Sequence, residues 1–161
     1  MEVTSITNGI IIDHVPAGTA LTVLEYLSID PATTRLALIM NASSKRYGSK
    51  DIIKIEDAES VDLDVLGFVA RQATVDIVRG GRITRKMTPN LPEHIVNVIT
   101  CVNPRCVTTP DRGIRQRFHP VPSRRPEYRC AYCDAEANLS PTAPPTDQHP
   151  SRTAPHATHR L

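Results

Sequence analysis

All four cysteines of the chain fall in two close pairs, Cys101-Val-Asn-Pro-Arg-Cys106 and Cys130-Ala-Tyr-Cys133, separated by 23 residues. Two tight pairs joined by a returning spacer are what a tetrahedral ion requires, each pair wrapping one edge of the metal. The surrounding stretch holds too little apolar mass to fold without a staple. Four thiolates select zinc over harder ions, and a closed four-cysteine site leaves no open position for catalysis, so the favoured reading is one structural Zn²⁺ on Cys101, Cys106, Cys130 and Cys133. Two disulfides, a redox pair at Cys130 and Cys133, or an iron–sulfur cluster would use the same residues. Against the disulfides, no basic stretch precedes an apolar run near Glu2, so an export signal is not expected.

Proline marks where the chain divides. Of 14 prolines, only Pro16 and Pro31 precede residue 89. All four lysines lie in the first part, and the charge changes from −2 over residues 1–95 to +3 over residues 96–140. These shifts place boundaries near Leu91–Pro92 and Ser140–Pro141, giving units 1–91, 92–140 and 141–161. The last, with five Pro, three His and almost nothing apolar beyond Ala before Leu161, is expected to be a disordered tail. No run of about 20 apolar residues exists, so no membrane span is expected. The overall charge of +2 is too small to imply nucleic acid. Aromatics make up only 4% and Trp is absent, so the core must be aliphatic. A soluble cytoplasmic protein is expected.

In the first unit the hydrophobic pattern alternates between two periods. Residues 6–15 carry a β-branched run ended by Pro16, a buried strand. Residues 19–27 show a helical apolar face in Ala20, Val23, Leu24 and Leu27. Residues 33–40 and 51–56 read as strands with a polar loop over 41–49 between them. A second helix begins at a Ser60 cap. Residues 73–79 and 82–87 form a hairpin around Gly80-Gly81. The order β-α-β-β-α-β with an added strand predicts an α+β fold, a ferredoxin-like antiparallel sheet with two helices. A small zinc-ribbon-like β domain follows it. That fold alone decides no function.

Few residues here could do chemistry. Asp13-His14 at a strand end could form a dyad, but no third partner is placed nearby, and a polar strand end is the better reading. Lys50 and Lys54 share one side of a strand, and Lys86 ends another. Converging ammonium groups suit a polyphosphate, yet on residues alone solvated edge lysines explain them better. Residues 111–129 hold six Arg against Asp111 and Glu127, a basic loop that suits nucleic acid or an acidic protein surface.

Taken together, these residues resemble one family, the regulatory chain of aspartate carbamoyltransferase. The resemblance rests on Gly9-Ile-Ile-Ile-Asp13-His14-Val-Pro16-Ala17, Lys50-Asp51-Ile-Ile-Lys54-Ile-Glu56, Gln72-Ala73-Thr74-Val75, Lys86 to Pro89, Leu91-Pro92-Glu93, and the two cysteine pairs in their order. It covers residues 1 to about 140. It implies a non-catalytic allosteric subunit whose first domain binds ATP as activator and CTP as inhibitor, with UTP and Mg²⁺ as further effectors. The zinc domain would dock on the catalytic chain, and regulatory homodimers would link two catalytic trimers in pyrimidine biosynthesis. By the same resemblance, base and ribose contacts fall on Val3, Thr4, Ser5, Ile6, Ile11, Asp13, Lys54 and Val78. Phosphate contacts fall on His14, Lys50, Asp76, Ile83 and Lys86.

Two positions depart from the family pattern. Asp76 and Arg105 stand where Asn is expected, the first beside phosphates and the second at the catalytic chain. A carboxylate near phosphates repels them unless a proton or cation intervenes. The competing readings are a zinc-ribbon nucleic-acid binder and a stand-alone nucleotide sensor. An enzyme is the weakest reading, since no nucleophile–base set is visible.

Overall fold

The computed structural model describes residues 5–123 and 127–138. Val3, Thr4, Arg124, Arg125 and the whole predicted tail lie outside the described residues. The chain folds in the order β1 (Gly9–Pro16), α1 (Ala20–Tyr26), β2 (Leu36–Ser44), β3 (Gly48–Glu56), α2 (Leu63–Val69), β4 (Thr74–Arg79), β5 (Arg82–Met87), β6 (Ile95–Val96), β7 (Arg117–Val121) and β8 (Glu127–Cys130). The first five strands form one sheet in the order β2-β3-β1-β4-β5, and the last three a second in the order β6-β7-β8. Every pairing is antiparallel. The α+β class with two helices on an antiparallel sheet is what the pattern predicted.

Strand alternation sorts the side chains of the large sheet. Ile10 and Ile12 of β1, Ile53 and Ile55 of β3, and Val75 and Ile77 of β4 point to the helix side and join Val23, Leu24 and Leu66 in one buried cluster. Each fully buried aliphatic side chain is worth about 1.5–3 kcal/mol over its exposed state, which compensates for the scarcity of aromatics. The β4–β5 hairpin turns on Gly80 and Gly81, both at positive φ (57° and 74°), the geometry that matches the right-handed strand twist.

Local details differ from the sequence pattern. The stretch 41–49 is strand for most of its length, because a bulge between Ile39 and Ala42 lets β2 continue into a hairpin despite its polar composition. Helix α2 is capped by Asp62 rather than Ser60. The Asp62 carboxylate accepts the N–H groups of Asp64 and Val65 at 3.1 and 3.0 Å, satisfying two orphan donors at once. Ile6 precedes β1 instead of opening it.

The small sheet does not stand apart from the large one. Phe68 of α2 meets Tyr128 of β8 edge to face at 5.0 Å, and both share a cluster with Ile95, Ile99, Phe118 and three of the cysteines. The Tyr128 hydroxyl donates to the Pro92 carbonyl at 2.6 Å. Helix α2 approaches the segment between β5 and β6 so closely that a Cβ on Gly67 would lie 2.0 Å from the Asn90 carbonyl oxygen. In an open helix Gly→Ala gains up to about 1 kcal/mol. Here Gly67→Ala is expected to lose about 1–3 kcal/mol instead, as overpacking against backbone does. A urea midpoint that falls checks this; one that rises contradicts the close approach.

Candidate functional site

The face of the large sheet opposite the helices carries the polar residues. Its register sets Lys54 of β3, Ile11 of β1, Asp76 of β4 and Lys86 of β5 in one row across four strands. With about 4.8 Å between strands, Lys54 and Lys86 start about 14 Å apart, so the row is an extended strip across the sheet rather than a single point of convergence. Val78 and Ile83 pair further along the same hairpin, past a register shift, with Val78 buried and Ile83 exposed. At the opposite end lie Asp13, His14 and Lys50.

Lys50 and Lys86 are each set against a carboxylate. The Lys50 ammonium sits 2.8 and 2.9 Å from the two oxygens of Asp13, and both side chains are largely shielded. The Lys86 ammonium lies 3.4 Å from one oxygen of Asp76 and 3.5 Å from the other. Asp76 is buried, and its Oδ1 has no hydrogen-bond partner among the described residues. An unsatisfied buried acceptor is unusual in a folded protein.

His14 occupies a bulge of β1 with φ 60°, where its N–H donates to Asp13 at 2.6 Å. Its Nδ1 lies 3.3 Å from the Thr74 hydroxyl and 3.5 Å from Asp13. These contacts hold the imidazole as part of a polar strand end. Ser5, Ile6 and Lys54 line a cleft of about 210 Å³ at the edge of this face, together with Arg35, Ala37 and Glu56. Arg35 and Glu56 were not singled out from the sequence, because a lone Arg and a strand-end Glu carry no pattern.

Asp51 was missed for the same reason, and both of its carboxylate oxygens accept a backbone N–H. It is fully buried. Its Oδ1 accepts the N–H of Asn41 in the β2 bulge at 2.8 Å, and its Oδ2 accepts the N–H of Ala20 at the start of α1 at 3.1 Å. The α1 cap is thus supplied from β3, since the Thr19 hydroxyl instead donates to the Pro16 carbonyl.

The second candidate centre lies at the end of the small sheet. The sulfurs of Cys101, Cys106, Cys130 and Cys133 all lie within 4.8 Å of one another. None of the four is joined in a disulfide, and their clustering favours the metal reading over two disulfides. Two short contacts cross between knuckles: Cys101 to Cys133 at 3.5 Å and Cys106 to Cys130 at 3.8 Å. An ion with metal–sulfur bonds near 2.3 Å has tetrahedral edges of about 3.8 Å, so the donor set fits one such metal.

The loops are built to hold that shape. Asn103 turns the first knuckle, its side chain accepting from the Arg105 N–H at 3.0 Å and its carbonyl from the Cys106 N–H at 3.0 Å. Gln116 ties the Cys101 N–H at 3.0 Å and reaches the Thr108 carbonyl at 3.3 Å. The second knuckle closes through the Cys130 N–H to the Ala135 carbonyl at 2.9 Å. Burial pushes the Cys101 thiol up to about 12, and burial also raises Cys130. A hydrogen bond from the Ala135 backbone brings Cys133 down to about 7. Buried sulfurs crowded in this way ionise together only when a cation compensates them.

Of the basic loop, Arg129 is committed to Glu127 at 2.7 Å and Asp134 at 3.1 Å, while Arg112, Arg115 and Arg117 are exposed. Val102, Val107 and Tyr132 stand exposed around the cysteine loops, as does Arg105. No helix of the described residues is long and apolar enough to cross a membrane.

Two family models match the chain in sequence. Residues 1–90 match the aspartate carbamoyltransferase regulatory chain, allosteric domain, and residues 93–140 match its metal binding domain. The chain is 78% identical over 139 residues to the aspartate carbamoyltransferase regulatory chain of Bifidobacterium longum, covering 86% of this chain and all of that one. It is 45% identical over 134 residues to the regulatory chain of Clostridium botulinum, covering 83% and 92% of the two chains. The corresponding chain of Clostridium tetani is 38% identical over 135 residues, covering 83% and 94%. With an outer sheet face rich in paired charges, a closed four-thiolate centre and both family models matched in order, the chain belongs to the family of aspartate carbamoyltransferase regulatory chains.

Proposed function

We propose that the chain is the nucleotide-sensing, non-catalytic subunit of an aspartate carbamoyltransferase holoenzyme. In this reading, residues 1–91 form a ferredoxin-like effector domain and residues 92–140 a zinc-ribbon-like domain that docks on the catalytic chain. The observation that carries the reading is the row Lys54–Ile11–Asp76–Lys86, continued by Asp13, His14 and Lys50, on the helix-free face of the sheet. ATP and CTP are the effectors, with UTP and Mg²⁺ as further ligands. Ser5, Ile6, Ile11, Asp13, Lys54 and Val78 take the nucleoside, and His14, Lys50, Asp76, Ile83 and Lys86 lie along the phosphates.

Zinc at the four thiolates is structural. Its ligand set is closed, and the exposed Val102, Val107 and Arg105 beside it suit a protein partner with apolar and acidic groups. Regulatory homodimers form through an exposed edge of the large sheet and link two catalytic trimers in the cytoplasm. Effectors then act by binding the tense and relaxed assemblies unequally, with a coupling of about 1–3 kcal/mol.

Titration calorimetry with ATP and CTP tests the effector site. Lys86→Ala is expected to weaken both nucleotides about tenfold, because a charge-assisted phosphate contact is blind to the base. Unchanged affinity for either nucleotide removes Lys86 from the site. Co-purification with the catalytic chain, followed by aspartate saturation curves with and without each nucleotide, tests the assembly. A chain that never retains a catalytic partner overturns the regulatory role.

A further inference from the structure

We infer that Arg46, at the tip of the β2–β3 hairpin, is an additional phosphate-binding residue of the effector site, held in place by Tyr47. The inference rests on the nucleotide reading above. Its starting point is a charge deficit. Asp13 neutralises Lys50, and Asp76 neutralises Lys86, so neither lysine brings net charge to a polyanion. A triphosphate needs cations that are not already matched.

The hairpin tip brings one to the correct end. Tyr47 meets the His14 ring edge to face at 6.1 Å, and the Arg46 guanidinium lies over the Tyr47 ring at 5.2 Å. That ladder runs from the Asp13–Lys50–His14 cluster out to a guanidinium, which is planar and suited to bidentate phosphate contact. The stack also orders an otherwise free, exposed side chain before any ligand arrives.

The aim of the hairpin is built into the fold. Both strands beside β3 depart from regular register opposite residues 50–53, β1 between Ile12 and Val15 and β2 between Ile39 and Ala42. The Asp51 carboxylate fixes the second bulge through Asn41, which has φ 55°. The bulge on β2 redirects the strand leading to the tip, and the bulge on β1 turns His14 to meet it. An Arg-Tyr tip against a histidine is more than an edge strand needs to stay soluble.

Arg46 stands at the outer end of that ladder, beyond His14 and Lys50, and is therefore assigned to the terminal phosphate, which calorimetry of the chain with ATP and ADP tests. Wild-type protein is expected to bind ATP more tightly than ADP. Arg46→Gln should weaken ATP about tenfold and leave ADP within about twofold, closing the gap. Tyr47→Ala should reproduce that loss, and Tyr47→Phe should restore wild-type binding, since the ring rather than the hydroxyl carries Arg46. Equal affinity of the wild type for ATP and ADP, an unchanged ATP affinity in Arg46→Gln, or equal loss of both nucleotides overturns the inference. If Lys86→Ala weakens ATP while Arg46→Gln does not, only this inference falls. If neither variant changes binding, the effector site itself is misplaced.

Discussion

Stripping the metal from the four thiolates is expected to unfold the segment around β6, β7 and β8 while the five-stranded sheet persists. Metal affinity in a domain this small is largely its folding energy, with apparent values of about 10–16 kcal/mol in zinc-finger peptides. Little else holds the segment: β6 has two residues, and three of the four cysteines are themselves part of the apolar cluster. The large sheet contains no cysteine and keeps its own aliphatic core. A mercurial that captures the thiolates should therefore release catalytic partners yet spare nucleotide binding. Cys101→Ser should behave likewise, because a hydroxyl is a poor substitute for a thiolate on zinc.

The shared packing adds a second readout. Phe68 loses Tyr128 when the small sheet melts, so it becomes exposed on α2 and should bind a hydrophobic dye. Sizing chromatography and nucleotide titration on metal-stripped protein decide the matter. Survival of the complex without metal, or loss of nucleotide binding with it, would falsify this division of labour.

Asp76→Asn is expected to tighten nucleotide binding by about tenfold. The carboxylate is buried beside Lys86, and one of its oxygens has no hydrogen-bond partner among the described residues. At 4 Å and an effective dielectric near 20, opposite unit charges attract by about 4 kcal/mol before screening. The Lys86 side chain is 60% exposed, so solvent removes most of that. The amide keeps the shape, releases the ammonium to a phosphate and removes a repelling charge. Stability should change little or rise, since the variant no longer buries an incompletely satisfied anion. Lys86→Ala should act in the opposite sense, leaving Asp76 buried without its cation. Calorimetry on both variants, with urea melts alongside, separates the effects. Weaker binding in Asp76→Asn would mean that the carboxylate holds a ligand donor or a cation, and the repulsion argument would then fail.

Much of this was legible in the sequence because it depends on short-range pattern. The cysteine pairs declare a tetrahedral site by spacing alone, since the ligand geometry is local to each knuckle. The isoleucine alternation in β1 and β3 declares a sheet with one covered face, and Gly80-Gly81 declares its hairpin. What the sequence could not reveal depends on which strands become neighbours. Lys50, Lys54 and Lys86 looked like three available cations. Strand order and register instead pair Lys50 with Asp13, 37 residues away, and Lys86 with Asp76. Asp51 carried no signal of its own in the sequence, yet the tertiary fold buries it to cap a helix and fix a bulge 31 and 10 residues distant. The stretch 41–49 read as loop because its residues are polar, and pairing with β3 made most of it strand. Local composition sets which elements can form and which ions the chain can hold. Only the register of the sheet decides which charges meet and cancel.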